Sequence, residues 1–600
     1  MIRVADYIMQ RLVQEDVKHL FYVPGGQCVY LMDALRRNEE LKGIGTHHEQ
    51  AAAMAATAYA QYKNGLGACL VTTGCAGTNT MTGVLHAYQD SLPVIFISGQ
   101  QNINQTTHAS ELSLRQIGVQ EADIVRLVTP ITKYAAMLTD PMQVAYELDK
   151  AIHEALSGRQ GPVWIDVPLE IQNAMVNEDK LQRYEETQSA PGLSCDDIDY
   201  IKTALKEAER PVIFSGHGVM SAGAKEELRL FAEKNNLPVV LTRYSVDLLP
   251  YDHPLNMGVV CSVSANRYAN FIIQNSDVVL NIGGRLSIDT TGPEQKQFAR
   301  EAKVIVIDID EEEHKKDGVK IEKLIEADAR EALLGLLEEK VSCDTSEWIE
   351  KCNHWKSIFP DYSGTETANG FIDFKYFLDK LSCVIPHNTT VLADAGMTGA
   401  CVSANCHLYE GGRMIHAYAQ GEMGFTLPGA FGAACADSDK TVVAIAGDGS
   451  VMMNLQELQT LVRNQFNVKL IINNNDGYSG VRHGQKAHFR GKSIGTDPSN
   501  GLDFPDFGKV AEAFGIPYTE IRKINELDDC LKNVFEEKGP HICEVFTDPD
   551  QFDLHNALVK YDKRKFGFRP IEDQSPFIDR DVFFAEMIIK PLETSYGEPV

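Results

Sequence analysis

The sequence predicts an α/β protein built from three doubly wound, Rossmann-like units. Short apolar runs recur along the chain, helical stretches alternate with them, and polar segments holding turn formers divide the alternation into three blocks. At 600 residues the chain also exceeds what one hydrophobic core sustains.

The first block is expected over residues 1–178. Residues 20–23, 67–71, 94–98 and 163–167 read as buried parallel strands, residues 44–46 as a short strand, and the alanine-rich stretch 49–63 as a helix. A polar linker follows over 177–196, with Pro191 and Gly192 inside it. The second block, 190–340, places strands at 211–215, 238–242, 278–282 and 304–309. Charged residues dominate 310–340, and a second connector runs from there to about residue 370. The third block, 365–560, has strands at 390–392, 442–446, 468–472 and 541–545. The tail, 561–600, is polar with scattered aromatics and is assigned no fold.

Composition excludes several function classes. A net charge of −28 opposes nucleic acid or an anionic membrane as a partner, because phosphate binding needs clustered Lys and Arg. The longest apolar runs, 93–97 and 441–446, fall far short of the roughly 18 residues of a membrane span. Residues 1–10 lack the basic start and apolar core of a secretory signal. Thirteen cysteines include no CxxC pair, and Cys401 with Cys406 has the wrong spacing for a zinc knuckle. The expectation is a cytoplasmic protein with reduced thiols.

The strongest chemical signal lies in the third block. The strand 441–446 ends at Gly447-Asp448-Gly449-Ser450, and a helix with Met453, Leu455, Leu458 and Leu461 on one face follows. Gly449 permits close approach of the backbone to a phosphate, Ser450 is placed to cap the helix, and free N–H groups favour an anion. Asp448 offers a hard carboxylate for Mg²⁺. A lone Gly-Asp-Gly marks an ordinary turn just as well. Here a second strand, 468–472, runs into Asn473-Asn474-Asn475-Asp476-Gly477-Tyr478, delivering oxygen ligands at the same sheet edge, where doubly wound sheets bind ligands.

These residues resemble the thiamine-diphosphate motif, a Gly-Asp-Gly followed at a fixed distance by Asn-Asn. The resemblance implies Asp448, Asn475 and the Gly477 carbonyl as Mg²⁺ ligands, with Asn474 as the fallback within the triple Asn. It implies Gly449, Ser450 and Tyr478 as cofactor contacts, with Gly396, Met397 and Thr398 as a diphosphate-side loop. In the first block, residues 21–26, 47–60, 71–79 and 90–100 resemble the acetolactate synthase family, in order, as do 131–133, 161–168 and 421–429. Glu49, by residue type alone a helix-dipole carboxylate, then matches the catalytic Glu that activates the aminopyrimidine ring. Gly421 and Met423 match the segment that bends the cofactor. Gly25, Gly26 and Gln27 match residues beside the reacting carbon, and Gln120 and Lys133 match polar pocket residues. Gly26 lacks the acidic or hydroxyl side chain that some decarboxylases carry there, which favours transfer to a second carbonyl over protonation.

The departures narrow the reading. Where the biosynthetic synthases have a Trp that shapes the acceptor pocket, this chain has Gly484, with Arg482 and His483 as candidate contacts to a larger acceptor. Residues 474–489 and 495–518 resemble acetolactate-synthase-like proteins of bacterial surface-polysaccharide gene sets. Residues 285–289 read Arg-Leu-Ser-Ile-Asp in place of the family's flavin-binding Arg-Phe-Asp-Asp-Arg, so FAD or an ADP-type nucleotide is not favoured in the central unit. Four readings stand open: a carboligase joining an acyl unit from a 2-keto acid such as pyruvate to an acceptor carbonyl, a simple decarboxylase or lyase, an acetolactate synthase proper, and a non-catalytic cofactor-binding protein. The resemblance also implies a homodimer or homotetramer with active sites shared between subunits.

Overall fold

The computed structural model describes residues 1–185, 191–338, 340–341 and 343–600. Its frame is three six-stranded parallel sheets. The first comprises His19–Tyr22, Lys42–Gly45, Gly67–Val71, Val94–Gln100, Tyr134–Met137 and Val163–Pro168. The second holds Pro211–Ser215, Val239–Leu241, Asn256–Val259, Val278–Ile282, Lys303–Asp308 and Lys323–Glu326. The third holds Thr390–Ala393, Arg413–Ile415, Val442–Gly447, Val468–Asn474, Tyr518–Ile521 and His541–Phe546. With strands numbered in chain order, the outer sheets share the order 2-1-3-4-6-5, and the middle sheet has the order 3-2-1-4-5-6 of dinucleotide-binding folds.

The central strands match the sequence expectation because burial on both faces demands continuous apolar runs. All seven residues of Val94–Gln100 are buried. Edge strands such as Tyr134–Met137 and Lys323–Glu326 are only partly buried, so mixed composition hides them in the sequence.

The alanine-rich helix spans Glu49–Lys63 and packs against the helix Thr426–Ala436. Small residues bring the two backbones together: a Cβ on Gly432 would lie 2.3 Å from the Ala55 carbonyl oxygen. One apolar cluster therefore joins the first and third units, running from Phe21 and Trp164 through this seam to Phe431 and Ile472.

Three expectations are corrected. The connector after residue 340 contains the helix Ser346–Ile358, whose Trp348 and Trp355 are buried in the core of the second unit. The tail is folded. Leu558–Asp562, Lys565–Phe568 and Glu598–Pro599 form a small antiparallel sheet, and Ile571 and Phe583 enter the second unit's core. Its polar residues serve the same docking: Gln274 Nε2 and Arg300 Nη1 donate to Glu572 at 2.7 and 2.8 Å, and Trp355 Nε1 donates to Glu586 at 2.9 Å. The third correction concerns the helix after Ser450, which is broken. Asn454 leaves helical geometry at φ −134°, and Met453 is 49% exposed rather than on an apolar face. Of the expected linker 177–196, residues 186–190 lie outside the described residues, and the remainder holds a turn at Glu178–Lys180 and the start of the helix Cys195–Glu207.

Candidate active site

In the third sheet the order reverses between Thr390–Ala393 and Val442–Gly447, and the predicted cofactor residues gather beyond these strand ends. Asp448 is buried at 1% exposure. The Gly449 and Gly477 amides donate to its two oxygens at 2.7 and 2.8 Å, tying the loop after Val468–Asn474 onto it. Burial pushes the Asp448 carboxyl up to about 7, against the opposing pull of the Gly477 and Gly449 amides and the Arg482 charge. Asn475 spends its amide N–H on Ser479 Oγ at 3.1 Å, leaving its side-chain oxygen to accept. Asn474 differs: its side-chain nitrogen donates to Glu544 and its oxygen accepts the Asp476 amide, so both ends are committed within the fold. A buried carboxylate, an amide oxygen and the Gly477 carbonyl make a hard oxygen set that suits Mg²⁺.

The neighbouring residues fit a diphosphate in part as expected. Gly396 is exposed at φ +66° with nothing within 4 Å of an added Cβ, and it opens the helix Gly396–Asn405, whose first amides have no intrahelical acceptor. Met397 is half-buried, while buried Thr398 accepts from Asn473 Nδ2 at 3.0 Å. Two local roles differ from the sequence reading. The space above Gly449 is taken by the Tyr478 ring, 2.1 Å from where a Cβ would stand. Ser450 caps no helix; its hydroxyl accepts the Gly424 amide at 2.8 Å, fixing the segment that carries Met423. Met423 itself is half-buried and belongs to no apolar core cluster among the described residues; Gly421 is exposed at φ +61°.

In the first unit Glu49 opens its helix half-buried, and Asn79 Nδ2 donates to its carboxylate at 2.9 Å. Gly26 is exposed with open space around it, and Gln27 Oε1 accepts from the Thr72 hydroxyl at 3.2 Å. Gln120 is exposed at φ +61°, its carbonyl packed on Gly74.

Three expected substrate contacts are corrected. The buried Arg482 guanidinium points back into the fold, donating to the carbonyls of Asn475, Asp476 and Pro549. His483 stacks on Phe552 at 4.6 Å with Nδ1 against the Ser479 carbonyl. Lys133 donates to the Ser157 carbonyl at 2.7 Å and lines a separate cavity of about 1070 Å³ between the first and second units.

That cavity lies at the switch point of the second sheet, beyond Gly216 and Gly283, where a family flavin or ADP would sit. Its arginines are already paired: Arg159 with Asp310 and Glu313, Arg285 with Glu313, and Arg11 and Arg183 with Asp149, while Lys133 donates to a backbone carbonyl. No chemistry is assigned to FAD or ADP.

Sequence reasoning missed the residues that hold these parts in place. Glu457, wholly buried, accepts the His47 and His48 amides at 2.9 and 3.1 Å, anchoring the backbone just ahead of Glu49. Its signal was a carboxylate beside Leu458 in an otherwise apolar stripe. Asp90 accepts the Tyr418 and Ala419 amides at 2.9 Å, and buried His86 bridges Asp90 to Glu422, the neighbour of Met423. Burial alone would lower the His86 pKa, but Glu422 and Asp90 outweigh it and raise it to about 10.

Comparison with known proteins agrees with the three-unit fold. Models of thiamine pyrophosphate enzymes match in all three units: the N-terminal TPP binding domain over residues 2–125, the central domain over 198–336 and the C-terminal TPP binding domain over 394–545. The chain is 32% identical over 541 residues to the acetolactate synthase large subunit of Corynebacterium glutamicum, covering 89% of this chain and 84% of that one. It is 32% identical over 564 residues to the probable acetolactate synthase large subunit of Methanocaldococcus jannaschii, covering 91% and 92%. Identity to the acetolactate synthase isozyme 1 large subunit of Escherichia coli is 29% over 550 residues, covering 91% and 94%.

Proposed function

Since the chain belongs to the thiamine-diphosphate-dependent enzymes related to acetolactate synthase, we propose that it is a carboligase joining an acyl unit from a 2-keto acid such as pyruvate to an acceptor carbonyl larger than pyruvate, of the keto-sugar-nucleotide class. Thiamine diphosphate supplies the carbon nucleophile and electron sink when bound. The protein's part is to bind, orient and move protons. In this reading Asp448, Asn475 and the Gly477 carbonyl would hold Mg²⁺, and Gly396, Met397 and Thr398 would line the diphosphate side. Glu49 moves a proton at N1′ of the aminopyrimidine, with Asn79 holding its carboxylate. Met423 and Gly421 would lie against the cofactor, and Gly26 and Gln27 would border its reacting carbon.

The observation that carries the acceptor assignment is the open space at Gly484. Nothing lies within 4 Å of an added Cβ there, on the helix Ser479–His488 that directly follows the metal loop. An indole at this site would supply a wall worth roughly 1.5–3 kcal/mol of apolar burial. Its absence removes about one to two decades of preference for a small keto acid. The likeness of residues 474–518 to surface-polysaccharide relatives points the same way.

One competition tests the proposal. Labelled pyruvate is offered 2-ketobutyrate and a 4-keto-6-deoxy sugar nucleotide in a single reaction, with products read by mass spectrometry. The expected product is the sugar adduct, in proportion to CO₂ released. Acetohydroxy acids without sugar adduct return the chain to acetolactate synthesis proper, and free aldehyde alone makes it a decarboxylase.

A further inference from the structure

The loop Asn475-Asp476-Gly477 does not hold its shape through local preference. Asp476 sits at φ +58° and Gly477 at φ +122°, two successive left-handed residues of which the first is not glycine. Any side chain at 477 would stand 2.0 Å from the Thr496 carbonyl oxygen. Such a loop persists only where its surroundings fix it.

Arg482 supplies the fixing from the first turns of the next helix, Ser479–His488. Its Nη1 donates to the Asp476 carbonyl at 2.8 Å, and Nη2 donates to the Asn475 carbonyl at 2.9 Å and the Pro549 carbonyl at 2.7 Å. Two consecutive peptide planes are thereby clamped to each other and to the segment after His541–Phe546, the strand paired beside Val468–Asn474. The residue is 3% exposed, and the nearest carboxylate, Asp497, stands at 3.8 Å. A permanent cation buried near a helix N-terminus works against the helix dipole, so the carbonyls are what stabilise it there. A planar fork with several donors reaches three acceptors at once, which an ammonium on a flexible stem does not reproduce.

We propose that Arg482 is the positioning residue of the metal-binding loop, holding the Asn475 side-chain oxygen and the Gly477 carbonyl in register with Asp448 so that Mg²⁺ meets a preformed set of ligands. The inference builds on the metal-site reading given under Proposed function. Arg482 touches neither substrate nor cofactor in this role.

The test is calorimetric titration of thiamine diphosphate into the full-length protein at graded free Mg²⁺, for the unaltered chain, Arg482→Gln and Arg482→Lys. Thermal melting of the cofactor-free proteins serves as a folding control. The Mg²⁺ midpoint is expected to rise by about tenfold or more in Arg482→Gln, the change that one lost charge-assisted hydrogen bond represents, and by less in Arg482→Lys. At saturating Mg²⁺ both variants should keep the acceptor KM of the unaltered protein. If Arg482→Gln does not fold, Arg482→Lys alone decides by the position of its midpoint. An unshifted midpoint in a folded variant overturns the inference, and an unshifted midpoint with a raised acceptor KM places Arg482 in the acceptor pocket instead. Failure of the unaltered protein to bind the cofactor with Mg²⁺ would instead overturn the metal-site reading.

Discussion

Replacing Gly432 with alanine should damage turnover more than the loss of a hydrogen atom suggests, because it parts two helices that carry different halves of the catalytic apparatus. The added Cβ would stand 2.3 Å from the Ala55 carbonyl oxygen and 3.0 Å from its Cα, against 3.4 Å or more for ordinary contact. Both neighbours are helical backbone, which cannot swing aside as a side chain does. The helices must separate by about 1 Å, an overpacking that costs about 1–3 kcal/mol. Glu49 opens one of these helices and the Met423 segment precedes the other. A displacement of about 1 Å in a catalytic group lowers rate by about 10²-fold. Denaturant midpoints give the stability change, and CO₂ release from pyruvate gives the rate. Gly429→Ala is the comparison, since its Cβ would meet the Leu392 and Phe425 side chains, which can give way. A Gly432→Ala protein with unaltered midpoint and rate, or one no slower than Gly429→Ala, refutes the reasoning.

Glu49→Gln is expected to bind thiamine diphosphate and Mg²⁺ with little change while losing most turnover, whereas Asp448→Ala should lose the cofactor itself; calorimetry beside a CO₂ assay separates the two, and a Glu49→Gln protein with near-normal rate would remove its assigned role. Because Glu49 and Asp448 stand in different units, with the family's sites built between subunits, the holoenzyme should sediment as a dimer or larger, and a fully active monomer would exclude shared sites.

How much was legible in the sequence follows from where each residue's constraint lies. Val94–Gln100 and Val442–Gly447 announce themselves because burial on both faces admits only apolar runs. Asp448 and Asn475 stand out in the sequence because each follows a buried strand at the same sheet edge, and the structure brings their loops together. The tail was illegible for the opposite reason. Its hold on the second unit comes from Glu572 and Gln574, whose partners lie about 300 residues earlier, and from scattered Ile571 and Phe583, which show no period. Arg482 and His483 misled because a basic residue near a site reads as a ligand contact, while the Pro549 carbonyl and the Phe552 ring that take up part of them come from a distant loop.

The two outer sheets divide one task between copies of one topology. In each, strands 1 and 3 flank the switch point, and the chain at their C-terminal ends comes close: Gly25 to Thr72 in the first unit, Gly447 to Thr398 in the third. The third unit fills that crevice with hard oxygen ligands and helix amides, suited to a charged diphosphate and its metal. The first leaves its crevice neutral at Gly26 and Gln27 and places a single carboxylate, Glu49, beyond strand 2. In the proposed reading, charge is handled at one edge and proton transfer at the other, so neither unit alone makes a site. Within one chain the units are locked by Glu457 on the His47 and His48 amides and by Asp90 on the Tyr418 and Ala419 amides. These bonds fix how each half is presented, so weakening them should lower turnover even where every cofactor contact is kept.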